Sequence, residues 1–244
     1  MKWMEKYTED EMIQRIWAVE EVKKLISRRS YYIANGLRKE ELDELWVNAP
    51  ELRATASFGG NWGFYVGMKE IERWYVSECM DRLRREGENG EEFMTGYSSF
   101  RPVTTPLVKV AGDRRTARGL FYSIGEESWN TREGAKGYWF NEKIAVDCVN
   151  ENGSWHIWHM VIANDFTTPC GRALSSIELY PEEKDNISRS LFGTPTIAMT
   201  VHDARFNWCD NYPAMPEDYE SFDILKSYAP EGHPMFTERK GRWR

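Results

Sequence analysis

The 244-residue chain is poor in the features that mark several large protein classes. It has four cysteines, Cys79, Cys148, Cys170 and Cys209, and no two stand at CxxC spacing, so neither a zinc knuckle nor a redox pair is read. Its opening, MKWMEKYTEDEM, lacks the apolar stretch of a signal peptide, so reduced thiols and a cytoplasmic location are expected. No run approaches the roughly 18 apolar residues of a membrane span, and no membrane partner is expected. Basic excess is missing too: 32 Lys and Arg against 39 Asp and Glu give a formal charge of -7, which argues against nucleic acid as a partner. The basic end, Arg239-Lys240-Gly241-Arg242-Trp243-Arg244, reads as a solvated tail. Neither GxGxxG nor GxxxxGK[ST] occurs, so no nucleotide cofactor is expected.

Aromatic residues, by contrast, make up 14% of the chain and include 11 Trp, enough to line an apolar cavity or a subunit interface beyond the needs of a core. The stretch 134–169 organises them. It reads as two long strands, Tyr138 to Val149 and Ser154 to Asp165, turned at Asn150-Glu151-Asn152-Gly153. In the first strand Phe140, Ile144 and Val146 share one face and Asn141, Lys143 and Asp147 the other, with Glu142 on the dry side. The second is apolar on both faces, Trp155, Ile157 and Val161 against Trp158, Met160 and Ile162, which places it inside the sheet.

Before this hairpin, Thr8-Glu9-Asp10-Glu11 has the form of a capping box. A helix is predicted from there to Asn35-Gly36, with Val19, Val22, Ile26 and Ile33 at helical spacing. A shorter helix follows over Lys39 to Val47 and ends at Pro50; Leu52 to Ser57 reads as a strand, and Met68 to about Arg85 as a helix with Ile71, Trp74, Tyr75 and Met80 toward the core. EGENGEE is a loop, and Phe100 to Val110 and Thr116 to Gly125 read as paired strands. Helices first and strands after indicate an α+β fold. From Cys170 to Arg244 sustained periodicity is missing and prolines recur, so residues 170–244 are expected to form an extended arm on the 1–169 domain or on a partner subunit. Its aromatic anchors are Phe206, Trp208, Tyr212, Tyr219, Phe222 and Tyr228.

The segments EEVKKLISRRSYYIANG, FYVGMKEIERWY, TTPLVKVAGDRRTARG and NGSWHIWHMVIANDF resemble the nuclear transport factor 2-like superfamily, in its SnoaL-like branch, over roughly Asp10 to Pro169. The resemblance implies a cone in which a curved antiparallel sheet wraps the N-terminal helices, with a pocket between them and pairing of copies through the sheet. It covers dehydratases, isomerases, polyketide cyclases, epoxide hydrolases and non-catalytic proteins, so fold alone selects no reaction. Dehydratases of the superfamily carry a tyrosine near the end of the first helix, matched by Tyr31 or Tyr32, and the last-strand histidine is matched by His159. An Asp that often follows the tyrosine is replaced by Asn35-Gly36, and a histidine before the step at Thr105-Pro106 is replaced by Arg101, which cannot act as a general base.

Read for chemistry, Glu142 is either a proton acceptor in a dry site or the partner of an arginine such as Arg118. His159 is an acid, a base, a hydrogen bond to a ligand, or a satisfied histidine between strands. His156 and His159, three apart on a strand, fall on opposite faces and share no metal unless a bulge intervenes. Tyr31 and Tyr32 are about 100° apart on the helix, so only one points into a pocket. Trp62, Tyr65, Trp139 and Trp158 form a possible aromatic wall, Asn35 lies beside the pocket, and Asp165 either orients His159 or ends its strand. His202-Asp203, Cys209-Asp210 and His233 show no pattern. The expectation is a cofactor-independent lyase (dehydratase) or isomerase acting on a small to medium apolar oxygenated molecule, a steroid, polyketide or phenolic. His159 or Glu142 is the base, and Tyr31 or Tyr32 with Arg101 stabilises the oxyanion. The alternative is a non-catalytic apolar-ligand-binding or assembly protein; epoxide hydrolysis ranks lower for want of a matching Asp pair. A homodimer or higher homo-oligomer through the sheet and C-terminal arm is expected.

Overall fold

The structure is a computed structural model that describes residues 7–60, 63–78, 97–131, 134–171, 195–198 and 213–233. Helix α1 (Glu9–Ala34) begins at the capping box: Glu11 N–H donates to the Thr8 hydroxyl (3.3 Å) and Thr8 N–H donates to the Glu11 carboxylate (2.9 Å). Its buried stripe is Ala18, Val22, Leu25, Ile26 and Ile33, with Arg29 as a charged member, and it ends at Asn35 and the positive-φ Gly36. After α2 (Arg38–Leu45), the expected strand over Leu52 to Ser57 is instead a helix, α3 (Pro50–Thr55). Pro50 sits in its first turn, where a missing N–H costs nothing. The distant Glu151 carboxylate accepts from Asn48 N–H (2.9 Å) and Ala49 N–H (2.8 Å), a tertiary cap that no local pattern announces.

Strands β1 (Ser57–Gly60) and β2 (Gly63–Val66) lead to α4 (Met68–Glu72), which widens into a π-helical turn over Arg73–Glu78. Then come β3 (Ser98–Phe100), β4 (Val103–Val110), β5 (Thr116–Thr131), β6 (Gly134–Glu151), β7 (Ser154–Pro169) and β8 (Ile197–Ala198). The sheet runs β3-β5-β6-β7-β1-β2-β8 with β4 also on β5, antiparallel throughout except where β1 lies parallel to β7. This is an α+β architecture, N-terminal helices against a large curved sheet. No described helix is long and apolar enough to cross a membrane.

The two sheet faces have different covers. On the inner face Phe121, Ile144, Val146, Cys148, Ile157, Met160 and Ile162 join the α1 stripe, Trp46, Phe58, Tyr65, Trp74 and Tyr75 in one core. On the outer face Phe64, Leu120, Ala145 and Val161 pack with Tyr228. Residues 213–233 form a strap across that outer face of their own chain. Gly112 N–H donates to Tyr219 O and Asp113 N–H to Glu220 O, both at 2.8 Å, and Lys109 pairs with Asp218 at 2.8 Å. Of the expected anchors, Tyr219, Phe222 and Tyr228 are in the strap, whereas Phe206, Trp208 and Tyr212 lie outside the described residues. So do Met80, the EGENGEE loop, His202-Asp203 and Cys209-Asp210.

A register shift decides where β7 points its side chains. Asp147 pairs with His159, but the next residue, Cys148, pairs with Ile157, so one residue of β7 is left over. Strict alternation puts Ile157 and His159 on one face. The bulge separates them: Ile157 faces inward with Met160 and Ile162, while His159 faces outward with Val161.

Candidate functional site

On the inner face, Glu142 is fully buried and opposite Ser123 of β5. Arg101, in the link between β3 and β4, donates through one Nη to both Glu142 oxygens at 3.0 and 3.1 Å and through the other to Glu127 at 2.6 Å. Its Nε–H donates to Ser99 Oγ at 3.2 Å, and the guanidinium lies 4.2 Å from the Phe140 ring centroid. Burial opposes that charge, but the Glu142 and then the Glu127 carboxylates hold the guanidinium protonated, above its ordinary value. Ser123 Oγ is buried without a hydrogen-bond partner among the described residues. An unpartnered hydroxyl beside a buried carboxylate is a place for a ligand oxygen or a water.

A second polar group sits on the same side of the sheet. Tyr75 O–H donates to Glu41 at 2.6 Å and Arg29 Nε–H to the other Glu41 oxygen at 3.1 Å, all three buried. Burial, and next the Glu41 charge, push the Tyr75 phenol above its ordinary value. Arg38 lies 4.6 Å over the Tyr75 ring, and its charge acts on both Tyr75 and Arg101. Tyr65 stacks on Trp74 at 4.2 Å and is wholly buried.

Most other sequence-derived candidates stand elsewhere. His159 is wholly buried on the outer face, with Nδ1 3.1 Å from Asp147 Oδ2; with the carboxylate accepting, Nδ1 carries the hydrogen. Asp147 also accepts from Tyr228 N–H at 2.7 Å and faces Arg118 Nε at 3.4 Å. Arg118 is therefore the partner of Asp147, and Glu142 takes Arg101 in its place, because positions 118 and 142 fall on opposite faces. His159 and Glu142 cannot serve one pocket. Tyr31 is 73% exposed and points to solvent, and Tyr32 donates to Glu44 near Arg28 at the surface. Asn35 caps α1 through Tyr31 O. Trp158 donates to Thr55 Oγ1, stacks on His159 and meets the strap residue Phe222 at a tilt, ring centroids 4.6 Å apart. Trp139 is exposed, and Asp165 pairs with Lys143 at 3.2 Å, leaving His159 to Asp147. Trp62 lies outside the described residues. The Arg101–Glu142 pair and Ser123 share a face of the sheet with helix α1.

The model of the SnoaL-like domain matches residues 14–161. The chain belongs to the SnoaL-like family. Its match runs from the first turns of α1 through the bulge of β7 and so takes in Arg101, Ser123, Glu142 and Tyr75. The strap lies beyond it. Among solved structures, this SnoaL-like chain is similar to a hexachlorocyclohexane dehydrochlorinase of Novosphingobium barchaimii, 11% identical over 66% of this chain and 95% of that one, TM-score 0.48. It is similar also to a nuclear transport factor 2-like protein of Salmonella enterica, 16% identical over 64% and 96%, TM-score 0.44. Aln2 of a Streptomyces species is 16% identical over 59% and 88%, TM-score 0.43. No curated protein sequence matches the chain. Sequence reasoning passed over Ser123 and the Glu41–Tyr75 pair; the signal for Ser123 was its inward parity with Phe121 and Ala117 on β5.

Proposed function

We propose that this SnoaL-like protein is a cofactor-independent lyase or isomerase acting on a small to medium, largely apolar oxygenated molecule at the inner face of the sheet. The observation that carries the reading is Glu142: a buried carboxylate beside a hydroxyl with no partner among the described residues, held by an arginine that has a second anchor of its own. Glu142 takes the proton from a carbon next to a substrate carbonyl, and the electron pair left behind forms an enolate. Ser123 O–H and Arg101 N–H donate to the enolate oxygen. Glu142 then returns the proton, either to a departing hydroxyl, which leaves as water, or to another carbon, which completes an isomerisation. The Arg101–Glu127 bond keeps the guanidinium in place while Glu142 is neutral. The Tyr75–Glu41–Arg29 group supplies a fixed polar wall, and Tyr65 and Trp74 an apolar one.

A second reading, an apolar-ligand binder without catalysis, is favoured by one fact: both Glu142 oxygens already accept from Arg101. Hydrogen–deuterium exchange at the α-carbon of steroid, polyketide-like and phenolic ketones, with loss of water followed in parallel, separates the two. Catalysis predicts exchange that falls about 100-fold or more in Glu142→Gln, the usual scale of a lost general base. Equal, background exchange in wild type and variant, with ligand still bound, establishes the binder.

A further inference from the structure

The outer face carries a row of polar side chains that the inner-face chemistry does not use. Register aligns Lys109 of β4, Arg118 of β5, Asp147 of β6, His159 of β7 and Ser57 of β1 as successive cross-strand partners. Paired residues of neighbouring strands send their side chains from the same face, with the strands about 4.8 Å apart. Ser57 therefore stands beside His159, on the side away from Asp147. Its neighbours agree: Phe58 points into the inner core, and Val66, the partner of Ser57 on β2, packs with the outer cluster.

Ser57, His159 and Asp147 stand in the order of a nucleophile, a base and the group that orients the base. Asp147 takes the hydrogen on His159 Nδ1 at 3.1 Å and is itself fixed by Tyr228 N–H and Arg118. That leaves Nε2, across the ring, with a lone pair. Neither His159 Nε2 nor Ser57 Oγ has a hydrogen-bond partner among the described residues, although both side chains are wholly buried. Unpaired buried polar atoms are rare in native proteins, and a catalytic role is one reason they persist. The bond between a nucleophile and its base is often open until substrate binds.

The strap covers His159. Phe222, itself half-buried, lies 5.9 Å from the His159 ring and 4.6 Å from that of Trp158. A side chain that is partly in solvent is a cover one layer thick. The strap is tied to the other end of the row, by Asp218 on Lys109 and by Arg118 Nη2–H donating to Asp223 O at 3.1 Å.

We propose that Ser57, His159 and Asp147 form a second site, a nucleophilic serine with its base, which takes small uncharged carboxylic esters when the Phe222 segment of the strap lifts. Ser57 Oγ bonds to the ester carbonyl carbon as its proton passes to Nε2; the bond to the alcohol oxygen then breaks, and that oxygen takes the proton from Nε2. Water repeats the two steps on the acyl-serine, releasing the acid and restoring the hydroxyl. Val66, Trp158 and Phe222 make the surroundings apolar, which favours an uncharged substrate. Glu142 and Ser123 lie on the other face, so this site and the inner-face chemistry stand or fall separately.

An alkyl fluorophosphonate reads the site on the full chain: Ser57 Oγ bonds to phosphorus, fluoride leaves and His159 takes the proton. Phe222→Ala is expected to be labelled at Ser57, located by peptide mass spectrometry, and faster than the wild type, whose strap must lift first. Phe222→Leu, which thins the same cover less, repeats the test where alanine disturbs the fold. Adding His159→Gln is expected to slow labelling about 100-fold, the scale of a lost general base, with circular dichroism unchanged. Adding Asp147→Asn, which favours the wrong tautomer of the ring, slows it likewise. With para-nitrophenyl acetate the opened variant is expected to release nitrophenol in a burst that Ser57→Ala abolishes. No label on Ser57 in the folded, opened variant, or labelling that His159→Gln leaves as fast, overturns the proposal and makes the row a structural tie for the strap.

Discussion

Asp147 is drawn on from three directions: His159 Nδ1, Tyr228 N–H and the Arg118 guanidinium all meet its carboxylate within 3.4 Å. A buried carboxylate in that position stabilises little against water, but its removal leaves charge and donors stranded. Asp147→Ala is therefore expected to cost about 3–5 kcal/mol, the scale for breaking a buried pair, read as a shifted urea midpoint. Asp147→Asn keeps an acceptor for Tyr228 N–H and costs less. Arg101→Met is expected to cost several kcal/mol for the same reason, since Glu127 and Glu142 then face each other without a cation. If Arg101→Met unfolds at the wild-type denaturant concentration, the ion pairs described here do not hold that end of the sheet.

The strap and the hairpin are elements with opposite legibility. Asn152 and Gly153 hold φ of 54° and 93°, so the turn between β6 and β7 is the left-handed pair that the Asn-Gly step announces. Gly153→Ala is expected to lower stability by about 1 kcal/mol, seen as a melting point lower by about 2–4 °C. In the strap the telling residue is His233, whose ring meets Phe64 edge-on at 5.9 Å; burial pulls its pKa down to about 4 from the ordinary 6.5. A depressed folded-state value means the seated strap holds the neutral ring. That contribution is complete above pH 6.5 and is lost as the pH falls through about 4. Amide exchange over 213–233 is expected to accelerate between pH 6.5 and 4 more than exchange in β6, and His233→Phe is expected to remove the difference. An identical pH response in the variant assigns the effect to other groups.

At the scale of the whole molecule, the sheet presents one face to α1 and the other to the strap and to solvent. Phe64, Leu120, Ala145 and Val161 pack beneath Tyr228 of the strap, with His233 edge-on to Phe64. A chain ending after residue 212 exposes them together with the Asp147–His159 pair. It is expected to bind a hydrophobic dye strongly and to sediment as aggregates, while retaining the far-ultraviolet signature of α1 and the sheet. A truncated chain that stays dispersed and dye-free contradicts the strap as a structural cover.

Local sequence was enough for the elements whose cause is local. Thr8 and Glu11 started α1, Asn35-Gly36 ended it, and alternation placed Phe140, Glu142, Ile144 and Val146 on one dry face. The four segment resemblances led to the SnoaL-like family. What failed was whatever depended on partners far along the chain. Leu52 to Thr55 looked extended, yet Glu151, about a hundred residues away, caps a helix there. His159 looked like the base of a pocket, yet a single unpaired residue in β7 turned it to the other face, since a side-chain period of two makes a one-residue slip a change of side. Glu142 was legible as a buried acid, but the arginine expected for it, Arg118, serves Asp147 instead, because Arg101 reaches Glu142 from a link between strands whose path no pattern fixes. The chain's own residues thus determined its elements and its family, while the choice of which polar side chains meet was made by register and packing, which only the folded sheet supplies.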